Sequence, residues 1–264
     1  MKLFLIITLI STQSLAQIPD DLQARLDFYN SVNTFSKAYS LKFDEKTYNV
    51  KLTLSNEDKE GCDTHTKEWQ KNKGSDQKGD DYDKYNPEKF ADNYPCAWVV
   101  QNLTNLLLED AKDLSEEDTM NMLIAFVNRN ITYQKVDEQD YWKTPYETLT
   151  SGVGDCEDSS FLLSQMMSLA NFDSLLVGYP KHINVCVKPN SQISTTGKEG
   201  MKFNGNMFYM CESTSPSDGT CWKVGQYPQF VKELGDPGSM YLVPKNPIPN
   251  PVKSYQYTYE PRSK

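Results

Sequence analysis

The chain has 264 residues, 38% of them hydrophobic and 12% aromatic, enough for one sizeable core or one core plus a small subdomain. Its formal net charge of −9 lacks the basic face that nucleic acid or an anionic membrane surface requires, so neither is expected as a partner. Acidic surfaces keep proteins soluble and identify no partner of their own.

The first stretch reads as a secretory signal, residues 1–16. Lys2 precedes the apolar run Leu3 to Ile10, and Ser14-Leu15-Ala16 before Gln17 offers a small-residue cleavage site after Ala16. The run is too short to span a bilayer, and no later stretch approaches a membrane length. The expectation is a secreted or extracytoplasmic protein with no membrane insertion after cleavage, with a retained N-terminal anchor as the alternative.

Asp20 to Ala38 carries a weak helical period through Leu22, Leu26, Tyr29 and Val32. Tyr39 to Leu54 alternates apolar and polar residues and predicts one or two strands. Glu57 to Asn93 is dense in Lys, Asp, Asn and Gly with few aliphatics, a composition that predicts a loop. Residues 17–95 are therefore expected to form a small N-terminal appendage of strands and a polar loop. Cys96 to Asp113, with Trp98, Leu103, Leu106 and Leu107, predicts a helix. Ser115 with Asp118 makes a capping-box-like start to a second helix, whose Met120, Leu123, Ile124 and Val127 share a face before Ile131-Thr132-Tyr133. Asn102 and Asn130 each open an Asn-x-Thr glycosylation pattern, which matters only in a host with the machinery.

Tyr141 to Leu149 runs into the stretch around which the chain is organised, Gly152-Val153-Gly154-Asp155-Cys156-Glu157-Asp158-Ser159-Ser160. The apolar run that follows, Phe161 to Ala170, has Leu162, Met166 and Leu169 at helical spacing, so Cys156 is expected in the first turn of a helix. Unpaired N–H groups and the positive end of the helix dipole there favour a thiolate, which predisposes Cys156 to be a nucleophile. Asp155 and Asp158 also fit an N-cap pair, and the two glycines supply a permissive turn.

Leu175 to Gly178 and Ile183 to Val187 predict strands, Ser191 to Gly200 a polar loop, Met207 to Cys211 a third strand and Trp222-Lys223-Val224 a short fourth. Residues 244–264 begin in a Pro-rich stretch and predict an extended C-terminal tail.

A thiol nucleophile needs a base, and the chain has only two histidines. His65 lies in the charged stretch and reads as a solvated side chain. His182 heads the strand after the Cys156 helix and is the candidate base, with a structural strand-edge histidine as the bland alternative. A third group should orient the imidazole. Glu212 closes the strand Phe208 to Cys211, where an acid costs desolvation energy unless it has a partner. Asn204 and Asn206 are weaker candidates for that place.

The six cysteines leave several pairings open. Cys62 with Cys96 and Cys211 with Cys221 bracket polar stretches, leaving Cys156 and a buried Cys186 free; Cys186 with Cys211 is a rival. No close pair such as Cys-x-x-Cys argues for a structural metal site.

Trp142-Lys143-Thr144-Pro145-Tyr146-Glu147-Thr148-Leu149, Gly154-Asp155-Cys156-Glu157-Asp158, His182 and Glu212-Ser213-Thr214 together resemble the transglutaminase-like superfamily, nearest its prokaryotic secreted and bacterial cysteine protease branches. The similarity runs from about Leu106 to Val243. It implies an α+β, papain-like core over 96–243, in which a helix-borne Cys packs on an antiparallel sheet, with a Cys156-His182-Glu212 triad. Glu212 departs from the family's usual Asp. The resemblance also implies an oxyanion hole at the Cys156 N–H plus one upstream donor, with Trp142 and Gln134 as candidates. Calcium at Asp155 and Glu157 is a further implication, against which weigh the small number of carboxylates and the capping role; no cofactor is otherwise required.

The expected function is an exported cysteine hydrolase or acyltransferase acting on amide bonds of a protein or peptide substrate. The acyl-enzyme passes to water in a peptidase or amidase, or to an amine in a transglutaminase. The competing expectation is a non-catalytic binding or cell-surface module of the same fold.

Overall fold

The computed structural model describes residues 34–73, 94–134 and 142–243. The expected signal segment, the helical period over residues 20–33, the C-terminal tail and the second half of the predicted polar loop lie outside the described residues. Two strands open the described chain, β1 (Thr34–Phe43) and β2 (Lys46–Ser55), paired antiparallel across Asp44-Glu45, both with positive φ. The helical period read through Ala38 gives way to a strand because Tyr39 and Leu41 alternate inward and bury against the helices.

The predicted loop after Leu54 begins instead as a helix, α1 (Asn56–Lys73). Composition alone underrates this segment. Ser55 Oγ accepts the Asp58 N–H at 3.0 Å, an N-cap, and Lys59 pairs with Asp63 one turn on. Cys62 and Thr66 are buried, and Cys62 is bonded to Cys96, so tertiary contacts stabilise a helix whose intrinsic propensity is poor.

Two helices follow as predicted, α2 (Ala97–Asp110) and α3 (Glu116–Asn130). Ser115 caps α3 by accepting the Asp118 N–H. Asn130 is committed at the end of α3: its amide donates to Phe126 O and its Oδ1 accepts the Ser40 N–H. The short strand β3 (Thr132–Tyr133) then runs parallel to β4 (Val153–Gly154), with α4 (Pro145–Ser151) between them.

The helix α5 (Cys156–Leu169) packs on a five-stranded antiparallel sheet of order β7-β8-β6-β5-β9. Its strands are β5 (Asp173–Tyr179), β6 (His182–Lys188), β7 (Gly200–Phe203), β8 (Asn206–Cys211) and β9 (Ser239–Val243). Helices and antiparallel sheet are segregated, an α+β arrangement. Phe161, Leu162, Leu163, Met166 and Met167 of α5 are wholly buried, each contributing about 1.5–3 kcal/mol by burial. They join Val185 and Val187 of β6 and the hairpin β1–β2 in one core. The opposite face of the sheet buries Leu175, Val177, Cys186 and Met210 under a short helix, α6 (Gln229–Lys232), through Val231.

Trp222-Lys223-Val224 is not a strand. Its backbone is claimed by side chains of α3: Trp222 N–H donates to Asn128 Oδ1 at 3.0 Å and Val224 N–H to Asn121 Oδ1 at 2.8 Å. No described helix is long and apolar enough to cross a membrane.

Cys62 and Cys96 form the expected disulfide, while Cys156, Cys186, Cys211 and Cys221 are free. The Cys211–Cys221 pairing fails because Cys211 is buried at the end of β8 while the Cys221 sulfur accepts from Arg129 Nε. The rival Cys186–Cys211 pairing fails on register: Cys186 lies opposite Met210 and Cys211 opposite Val185, so the two thiols point to opposite faces.

Replacing Cys62 and Cys96 together by Ser should cost about 3.5–4 kcal/mol on the loop-entropy argument for a sequence separation of 34. Urea melts of both forms measure it, and an unchanged midpoint contradicts the role given to this bridge.

Candidate active site

The turn that delivers Cys156 is built by a sequence of caps. Thr144 and Glu147 form a reciprocal capping box at the start of α4, and Gly152 ends it at φ 73°. A side chain at Gly152 would also collide with Lys37 Nζ, which donates to Thr150 O. Gly154 is needed for close approach, since a Cβ there would stand 2.8 Å from Asp158 Cβ. Asp155 then caps α5 by accepting the Asp158 N–H at 3.3 Å, and Cys156 is the first helical residue, as expected.

Asp158 holds the preceding segment against α5. It accepts from Lys143 N at 2.7 Å and Lys143 Nζ at 2.8 Å. Burial pushes its carboxyl up to about 6, against the opposing pull of Lys143.

At Cys156 the pull of the helix N-terminus toward a thiolate is opposed by its surroundings. Burial pushes the thiol well above its ordinary range, and the Glu157 charge, the hydrogen bond from Sγ to Glu157 Oε2 at 2.8 Å and the Asp155 charge push the same way. The backbone amide of Ile183 acts in the opposite direction and is outweighed. A helix N-terminus is worth about 0.3–1 kcal/mol, less than the roughly 1.4 kcal/mol of a single pKa unit, and full burial shifts a group by several units. Desolvation therefore outweighs the dipole and holds the Cys156 thiol above its ordinary range.

His182 opens β6 and is 6% exposed; Glu212, just past β8, is fully buried. His182 Nε2 lies 3.1 Å from Glu212 Oε2, which also accepts from Asn184 Nδ2 at 2.8 Å. The second oxygen, Oε1, accepts from Thr214 N at 2.8 Å and Thr214 Oγ1 at 2.6 Å. Both carboxylate oxygens are thus saturated by two donors each, which offsets the cost of burying the charge. A carboxylate facing Nε2 selects the tautomer with its proton there and leaves Nδ1 as an acceptor.

Cys156 and His182 lie at the same end of β6, linked through the Ile183 backbone. By strand alternation His182 shares a side with Asn184 and Cys186, while Ile183 and Val185 face α5. The sulfur sits against the Ile183 amide, one peptide from His182, and Ser160 Oγ of α5 donates to Ile183 O at 3.2 Å. Ser160 Oγ also meets Ser213 Oγ at 2.9 Å, which joins α5 to the residue after Glu212. Among the described residues the thiol hydrogen bond goes to Glu157, and none joins Cys156 to His182.

The other residues singled out by sequence fall in several places. Trp142 is a buried core aromatic, its ring 5.3 Å from that of Phe161. Gln134 is exposed beside the turn, its N–H donating to Gly154 O. Asp155 and Glu157 flank the sulfur with one oxygen each in the cap and the thiol bond, and no group of three or more His, Cys, Asp or Glu side chains able to hold a metal occurs among the described residues. His65 lies exposed on α1, Asn204 lies in the β7–β8 turn and Asn206 opens β8 opposite Phe203, neither of them paired with His182. Asn184, Ser213 and Thr214 were missed as partners of the site. For Asn184 the signal was present: a polar residue two places after His182 in an otherwise apolar strand.

No family model and no curated protein matches this chain. Among solved structures it is similar in part to a candidate protease of Parabacteroides distasonis, at 14% identity and a TM-score of 0.33, over 50% of this chain and 28% of that one. The chain thus spans well under half the length of that protein, and at this level of likeness the chemistry rests on the site residues alone.

Iodoacetamide should label Cys156 slowly at neutral pH, with a midpoint above the ordinary thiol value of about 8.5. Glu157→Gln removes the adjacent charge and the carboxylate acceptor and should lower that midpoint. Mass-spectrometric rate profiles across pH check both, and an unshifted midpoint contradicts the role given to Glu157.

Proposed function

We propose that this protein is an exported cysteine hydrolase or acyltransferase acting on amide bonds of proteins or peptides, with a papain-like, transglutaminase-like core over residues 96–243. The observation that carries the reading is the imidazole of His182 held by a wholly buried carboxylate, at the head of the strand whose next residue, Ile183, lies against the Cys156 sulfur. In this reading Cys156 Sγ gives up its bond to Glu157 and engages His182 Nδ1. His182 takes the thiol proton as sulfur attacks the amide carbonyl, and Glu212 steadies the imidazolium that forms.

The tetrahedral intermediate collapses with the proton passing from His182 to the leaving amine, which gives an acyl-thioester on Cys156. Water then releases an acid, or a second amine a new amide. Stabilisation of the oxyanion falls to the Cys156 N–H at the helix N-terminus and an upstream donor, for which exposed Gln134 is better placed than buried Trp142. Calcium at Asp155 and Glu157 is not required by these steps. The disulfide on the described chain and the signal-like start of the sequence support export.

A second reading, a non-catalytic module of the same fold, is favoured by the thiol's bond to Glu157 in place of His182. Incubation of the full chain with a mixed peptide pool, followed by mass spectrometry of Cys156, separates the two. An acyl adduct is expected on the unmodified protein, with at least a hundredfold loss in His182→Ala, within the range usual for a lost general base. Absence of any adduct, or an adduct whose yield ignores His182, favours the second reading.

A further inference from the structure

Two aromatic rings stand at the candidate site and turn half their surface to solvent. Tyr133 is 48% exposed and Phe230 44%, although most of the large apolar side chains around them are buried. Neither ring hangs on a loose segment. β3 is pinned by Thr132 N–H to Gly152 O at 2.9 Å and Gln134 N–H to Gly154 O at 3.0 Å, which sets Tyr133 opposite Gly154, just before the nucleophile turn ends. The charges of Asp155, Glu157 and Glu212 and the Cys156 thiol all act on the Tyr133 phenol, so the ring lies within the field of the site.

Phe230 stands on the histidine side. Its ring meets the His182 imidazole edge-on, with centroids 5.3 Å apart and planes at 79°. The short helix that carries it is anchored by Val231, buried against the outer face of the sheet, and by the neighbouring Tyr227 hydroxyl, 2.7 Å from that of Tyr179. Each end of the site therefore has an exposed aromatic ring on an anchored element: Tyr133 on β3, within the field of the sulfur and its carboxylates, and Phe230 on α6, against the imidazole.

We propose that Tyr133 and Phe230 form the specificity subsite, which seats large apolar or aromatic side chains of a peptide next to the amide presented to Cys156. The proposal rests on the amide-bond reading of the site. An aromatic wall rewards contact with apolar side chains through area and ring packing. The same acidic groups that act on Tyr133 repel a carboxylate, so Asp or Glu next to the scissile bond is the poorest fit.

Peptidyl acyloxymethyl ketones that differ only in one side chain beside the electrophile, Phe, Leu, Ala or Asp, test the proposal on the full chain. Wild type should prefer Phe over Ala by about tenfold in KI, with Asp weakest. Tyr133→Ala and Phe230→Ala should bring the Phe-to-Ala ratio near one, while Tyr133→Phe and Phe230→Leu keep most of it. Equal losses for all four probes in the Ala variants, or no preference in wild type, overturn the subsite. The non-reactive amides of the same peptides, bound to Cys156→Ala and followed by fluorescence anisotropy, separate the two layers. Phe preference in binding without labelling of wild type keeps the subsite and removes the enzyme reading; labelling without preference does the reverse.

Discussion

The fold beneath the site depends on one buried carboxylate. Glu212 is wholly removed from water, a state that costs several kcal/mol for an ion without partners, and it survives because four donors converge on it from His182, Asn184 and Thr214. Those donors come from β6 and from the turn just past β8, so satisfying the charge also fixes β6 against the end of β8 and locks the imidazole by its Nε2 edge. Loss of any one partner leaves an uncompensated buried group.

α5 is tied to the same place from the other side of the sheet. Ser160 reaches Ile183 O and Ser213 Oγ, so the helix that carries Cys156 is fastened to the residues that follow His182 and Glu212 in the chain. Behind it, Asp158 draws Lys143 onto the first turn, and Asn128 of α3 donates to Ser213 O at 2.9 Å. Cys156, His182 and Glu212 thus stand on separate elements whose relative position is set by buried polar bonds, with the apolar core behind them supplying the bulk of the stability.

Much of this was legible in the sequence. The period of Leu162, Met166 and Leu169 marked α5, the alternation of Ile183, Val185 and Val187 marked β6, and the Asp155–Asp158 and Ser115–Asp118 spacings marked two helix starts that the structure keeps. The scarcity of histidine singled out His182, and an acid at the end of an apolar strand singled out Glu212, which does lie on that imidazole. What failed has a common cause: composition cannot see tertiary partners. α1 looked like loop because its support comes from Cys96, Tyr146 and the hairpin, and Trp222 to Val224 looked like strand because the asparagines of α3 that claim its backbone lie far away in sequence. At Cys156 the dipole is visible in a helix start, whereas the burial that opposes it is not.

The central claim is that Glu212 holds His182 by Nε2–H and leaves Nδ1 as the acceptor at the Cys156 end of the strand. Long-range 1H–15N NMR reads the imidazole tautomer directly, and with His65→Gln only one histidine remains to assign. A protonated, pyrrole-type Nε2 beside a pyridine-type Nδ1, converting to the opposite or a mixed form in Glu212→Ala, is the predicted result. A neutral ring protonated at Nδ1 in the otherwise unmodified chain would contradict the account.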